Sequence, residues 1–232
     1  MWPKFGAKFE DGWVAVVRRG QRLDLAHVIR APGKRPKIQA LDSYALDGSE
    51  ESALSRLAQS KGLKRYRCAT LLAEDDYRIA QLEAPSVAAD ERIQALRWRL
   101  KDIVDFPVEG AAIAATDIPV EGGRQANVFA MVAPRQVIGE RMDFFYKARA
   151  PLTSIDVPEM AVRNVAALFE EPNRGLAFLV LNDDDSLLVI TYRGELCLSR
   201  RIEMTAQALS SEDPERRQQM RERLALELQR TL

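Results

Sequence analysis

A single histidine and two cysteines are all this chain offers to the chemistries that depend on those residues. His27 lies in the strand-like LDLAHVI without clustered partners, so a histidine-based triad or a metal site has nothing to be built from. Cys68 and Cys197 are far apart, sit in the apolar alternations RYRCATLL and ELCLSR, and form no CxxC; they read as core thiols. Net charge is lacking as well. The 34 basic residues balance the 34 acidic ones, which leaves no global field for nucleic acid or anionic lipid. Long apolar runs are also absent. FLVL and SLLVI are strand-sized, far below the ~20 residues a membrane-spanning helix needs. The N-terminus has no apolar core of a signal peptide, so the sequence predicts a cytoplasmic chain with no membrane span of its own.

What is present is ordinary globular material: 232 residues, 47% hydrophobic and 29% charged, enough for one large domain or two small ones. Three strand-like runs come first, at 12–19, 22–30 and 37–46, with Gly20-Gln21 turning the first into the second. A helix begins near Ser49, carries Ala53, Leu54, Leu57 and Ala58 on one stripe, and stops at Gly62. A fourth strand, RYRCATLLA, completes β-β-β-α-β.

From about Asp76 to Arg149 the pattern becomes a strand, a helix over 95–107, two strands joined at Glu121-Gly122-Gly123-Arg124, and a helix opened by Pro134. LTSIDV then resumes as a strand, and Asp156, Pro158 and Glu159 start a helix that carries Met160, Val165, Leu168 and Phe169. After Pro172-Asn173 the opening theme returns as GLAFLVL, SLLVITYRG and ELCLSRRIE, followed by a helix from Asp213-Pro214 with Met220, Leu224 and Leu228 inward. The layout is an α/β actin-like (ribonuclease-H-like) duplicated fold. Residues 1–75 and 150–172 form a first subdomain, 76–149 a β-α-β-β-α insertion, and 173–232 a second subdomain that lacks a further strand and helix, as if cut short.

The informative stretch is ALRWRLKDIVDFPVEGAAIAATDIP, over 95–119. At about 100° per residue, Ile93, Leu96, Leu100, Ile103 and Val104 fall on one stripe, while Trp98 lies nearly opposite with Asp102 one turn on and Lys101 and Asp105 beside it. A tryptophan there either packs on neighbouring strands, with Asp102 paired to an arginine, or docks against a partner.

RWRLKDIVDFPVEGA followed by DIP, IDVPEMAVRNVAALF, YRGELCLSRRIE and LALELQRTL resemble, in that order, segments of the PilM-like proteins of type IV pilus assembly. The resemblance covers most of 85–232. It implies an FtsA-related, actin-like protein that is held at the inner membrane by the cytoplasmic tail of a PilN-like (MshJ-like) membrane protein and linked to the pilus motor ATPase. The tail would lie in a groove between the first subdomain and the insertion. The residues implied at that groove, or supporting it, are Arg97, Trp98, Lys101, Asp102, Phe106 and Pro107.

Actin-like proteins hold ATP and Mg²⁺ between two turns that normally carry Asp-x-Gly. Here the first turn, Arg18-Arg19-Gly20, keeps a glycine without an aspartate, and the second, Asp183-Asp184-Asp185-Ser186, has acids without a glycine. One reading makes these residues phosphate and Mg²⁺ contacts. The favoured one makes them charged hairpin turns and the chain a non-catalytic scaffold with no cofactor. Rival readings are an ATP-binding switch of the same fold, a GspL-like cytoplasmic domain of type II secretion, and a sugar-kinase-like enzyme. Arg216, Arg217, Arg221, Arg223 and Arg230 alternate with acids along the last helix and read as a solvated face. The loop Lys34-Arg35-Pro36-Lys37 reads as plain solubility.

Overall fold

A computed structural model describes residues 9–120, 125–183 and 186–231. The first hairpin pairs β1 (Trp13–Arg19) with β2 (Arg22–Ile29) from Arg19↔Arg22 to Trp13↔Val28. Its turn needs a residue at φ +55°, which Gly20 adopts without steric cost. Alternation then fixes the faces. Val14, Val16, Leu23 and Leu25 are buried, while the residues between them face the other way. β3 (Lys37–Ala45) adds an outer edge, and β4 (Arg67–Leu71) and β8 (Leu152–Asp156) extend the other side in parallel, giving the order β3-β2-β1-β4-β8.

Helix α1 (Glu50–Lys61) covers the buried face. Ser49 Oγ accepts the Ser52 N–H at its start, and Gly62 at φ +64° ends it, as the sequence predicts. Ala53, Leu54, Leu57 and Ala58 pack into a core with Leu63, Cys68 and Phe145, the last from α3 (Arg135–Lys147).

β5 (Arg78–Glu83), β6 (Ala112–Ile118) and β7 (Asn127–Ala133) form a second sheet in the order β5-β7-β6, and α2 (Arg92–Leu100) precedes β6. The expected turn at 121–124 lies outside the described residues.

A third sheet runs β11-β10-β9, from β9 (Leu176–Leu181), β10 (Ser186–Tyr192) and β11 (Glu195–Ile202). Leu188, Ile202 and Met204 form its core, with Met220, Leu224 and Leu228 of α6 (Pro214–Gln229) against it; the short α5 (Ala206–Leu209) intervenes. Asp213 caps α6 by accepting the Glu215 N–H at 3.0 Å. The stripe expected for α4 (Pro158–Ala166) is corrected in part. Met160 is buried, but Val165 and Phe169 are exposed, and Phe169 lies past the helix end, stacked on Phe178 at 6.1 Å. Its first-turn Glu159 is buried and accepts from Arg201 at 3.2 Å.

The contacts divide the chain into two compact units. One comprises Met1–Ala80, Pro85–Ala115 and Ala130–Pro158, and the other Gln81–Ala84, Thr116–Phe129 and Glu159–Leu232.

Candidate functional site

Helix α2 is anchored by Leu96 and Leu100, both fully buried. It is shorter than the sequence predicts. Lys101 closes it, and the N–H groups of Ile103 and Val104 both reach the Leu100 carbonyl, at 3.0 and 3.1 Å, so the chain leaves the helix in a tight turn. The β-branched pair Ile103-Val104 and the following Pro107 disfavour another helical turn. Lys101, Asp102, Phe106 and Pro107 therefore sit on the connection to β6 and not on a helix face. Ile103, expected on the apolar stripe, is exposed.

Trp98 remains where the helical spacing puts it, and 68% of it is exposed. It is not packed on neighbouring strands. Asp105, and not Asp102, finds an arginine, pairing with Arg78 at 3.4 Å. Arg97 turns inward from the same helix. Its guanidinium donates to the Val108 carbonyl and, at 3.1 Å, to the Ala111 carbonyl, tying the connection back to α2. Phe106 is half-buried, while Lys101, Asp102 and Pro107 are exposed. The exposed indole is thus held on a rigid two-leucine anchor with a pinned loop beside it. Covering what remains exposed of a tryptophan is worth about 3 kcal/mol.

The same unit contains an apolar cavity of about 150 Å³. Leu72 and Tyr77 line it from the segment after β4, Ile113 from β6, Met131 from β7, Ile138 from α3 and Val157 from the end of β8. None of the six sequence-derived groove residues lines it. No local pattern announces it, because its walls are short pieces of strand ends and one helix residue, far apart in sequence.

The first glycine turn is occupied by its own neighbours. Arg18 donates to the Gly20 carbonyl at 3.1 Å and pairs with Glu50 at 3.1 Å, and Glu50 also holds Arg141 at 2.8 Å. Arg141 lies 3.9 Å from Asp76, and Arg19 3.8 Å from Asp24. With Glu50 only 14% exposed at its side chain, its carboxylate already fills the place an anion would take beside Arg18. A Cβ added at Gly20 would meet no protein atom within 4 Å, so what the turn asks of this residue is its positive φ.

At the second turn, Asp183 is exposed and Asp184 and Asp185 lie outside the described residues. Ser186 is fully buried and donates to the Met204 carbonyl at 2.6 Å. Its hydroxyl is thereby committed to the stretch just past β11. Among the described residues there is no group of three His, Cys, Asp or Glu side chains able to hold a metal ion. Burial pushes the Cys68 thiol up to about 12. Cys197 is raised by burial first and then by Glu170 and Glu195. Neither thiol has thiolate character for nucleophilic chemistry. His27 Nε2 lies 3.1 Å from the Asp11 carbonyl and its ring meets Tyr66 edge-on, a packing role.

No family model and no curated protein matches the chain. Solved structures do. A PilM–PilN type IV pilus biogenesis complex superposes with a TM-score of 0.72 at 19% identity, over 97% of this chain and 77% of that one. The cytoplasmic domain of EpsL, an inner-membrane component of the type II secretion system of Vibrio cholerae, gives 0.55 at 14% identity, over 88% and 76%. A Ppx/GppA phosphatase from Aquifex aeolicus gives 0.50 at 8% identity, over 96% and 64%. At these identities what is shared is the fold, and this α/β chain has the actin-like fold.

Proposed function

We infer that the chain is a non-catalytic assembly component of a type IV pilus machine, a scaffold that grips the cytoplasmic tail of a PilN-like inner-membrane protein. The observation that carries this reading is Trp98, 68% exposed on a helix that already has its core anchors. An interface anchor of that kind is the residue type most enriched in binding hot spots. The likeness to a PilM–PilN complex supplies the partner class. The cavity supplies a seat for an apolar side chain of the tail, walled by Leu72 and Val157 on the side read as the first subdomain (1–75 and 150–172) and by Ile113, Met131 and Ile138 on the side read as the insertion (76–149).

Within this class the mannose-sensitive haemagglutinin pilus is the specific system proposed. Its biogenesis protein MshI is the counterpart of this chain, with MshJ as the tail donor and the pilus motor ATPase further along the assembly. The chain would then work at the cytoplasmic face of the inner membrane. No helix of the described residues is long and apolar enough to cross a membrane, so attachment through a partner is in keeping with the reading. The commitment of Arg18 to Glu50 and of Ser186 to Met204 argues against nucleotide at these turns.

A pull-down on the immobilised tail peptide tests the proposal. The wild-type chain is retained, and Ala114→Trp, on the exposed rim of the cavity, is not. No retention of wild type, or equal retention of both, overturns it. A second reading, the corresponding component of type II secretion, is favoured by the likeness to EpsL and predicts retention on that system's tail instead.

A further inference from the structure

In sequence, Lys34, Arg35 and Lys37 are a short basic loop of no special significance. The strand registers give them company. Ile29 opposes Lys37, Val28 opposes Trp13, and Trp13 opposes Arg67, so one end of the first sheet gathers residues from three separate stretches of chain. Arg30, Lys34 and Lys37 come from the β2–β3 side and Lys64 and Arg67 from the β4 side, all exposed. Arg65 stands there too, but its charge is met by Glu10 at 3.0 Å. Asp11 is the one other carboxylate among the described residues of these segments. In a chain with no net charge, this rim is a concentrated positive patch.

The cations border an apolar surface. On the sheet face opposite α1, the end row reads Arg67, Trp13, Val28, Ile38 across four strands, and the next reads Ala69, Ala15, Ala26, Leu41. Trp13 is 41% exposed, Ile38 67% and Leu41 71%. The Arg67 guanidinium lies 5.9 Å from the Trp13 ring, which keeps the indole at the rim. A tryptophan and two aliphatic side chains flanked by arginines and lysines match a membrane interface, where aromatic rings sit at headgroup depth and cations meet anionic lipid. Nucleic acid would use the cations but leave Ile38 and Leu41 in water.

We propose that this rim of the first sheet binds anionic phospholipid directly, laying the end of β1, β2 and β3 on the membrane surface. This goes beyond the partner-tail reading and does not rest on it. The test is co-sedimentation of the whole chain, with no partner present, on vesicles of phosphatidylglycerol and phosphatidylethanolamine and on vesicles of phosphatidylcholine. The chain sediments with the anionic vesicles only, and binding falls as salt shortens the Debye length. The charge reversal Lys34→Glu/Lys37→Glu/Lys64→Glu weakens it on the order of 100-fold. Ile38→Asp/Leu41→Asp weakens it as well, with thermal unfolding unchanged because both positions are exposed. No sedimentation of wild type, equal sedimentation on phosphatidylcholine, unaltered binding by the charge-reversed chain, or preference for a duplex DNA competitor over the vesicles overturns the proposal.

Discussion

Cys68 shows how burial sets chemistry at a single residue. Wholly inside the first core, with its thiol pushed up to about 12, it carries almost no thiolate at pH 8. Iodoacetamide at pH 8 therefore leaves Cys68 unmodified in the native chain and alkylates it once urea unfolds the protein; mass spectrometry after each treatment distinguishes the two. The shift also has a sign for stability. The folded state keeps the proton that the unfolded thiol loses near pH 8.5, so the Cys68 contribution is intact below that pH and is lost as pH rises toward 12. At Gly20 the physics is backbone rather than burial. Gly20→Ala places a Cβ at φ +55° with open space around it, costing about 1 kcal/mol, read as a lower urea midpoint with an unchanged slope.

Among the elements, the strands and caps were legible because their signals are local. Gly20-Gln21, Ser49 with Gly62, and Asp213-Pro214 each sit at the boundary their chemistry implies. The end of α2 was not, since helical periodicity continues through Ile103 and Val104 while the backbone turns at Lys101. The resemblance offers Arg97 for the groove or its support; its bonds to two loop carbonyls are pairings that spacing does not encode. The apolar cavity had no sequence signal at all, being assembled from strand ends. α2 itself hangs on two leucines. Leu100→Ala, at a wholly buried position, costs about 2–5 kcal/mol in chemical unfolding, whereas Trp98→Ala on the other side of the helix changes stability by less than about 1 kcal/mol. That contrast separates an anchor from a presented side chain.

For the whole molecule, the fold is one that also serves phosphatases, so function has to be argued from sites. The first glycine turn spends Arg18 on Glu50, and the second uses Ser186 as a clamp. Mg-ATP accordingly leaves the unfolding temperature of the chain unchanged, where a ligand at 100 times its Kd would add about 2.7 kcal/mol. A clear upward shift would return the molecule to the nucleotide-switch class. The scaffold reading places the burden on the exposed indole of α2. Isothermal calorimetry of the PilN-like tail peptide against wild type and Trp98→Ala tests it most directly. The account predicts binding by wild type and a loss of about 30-fold or more in the variant, the signature of a hot spot worth at least about 2 kcal/mol. Equal affinity for both chains would contradict it.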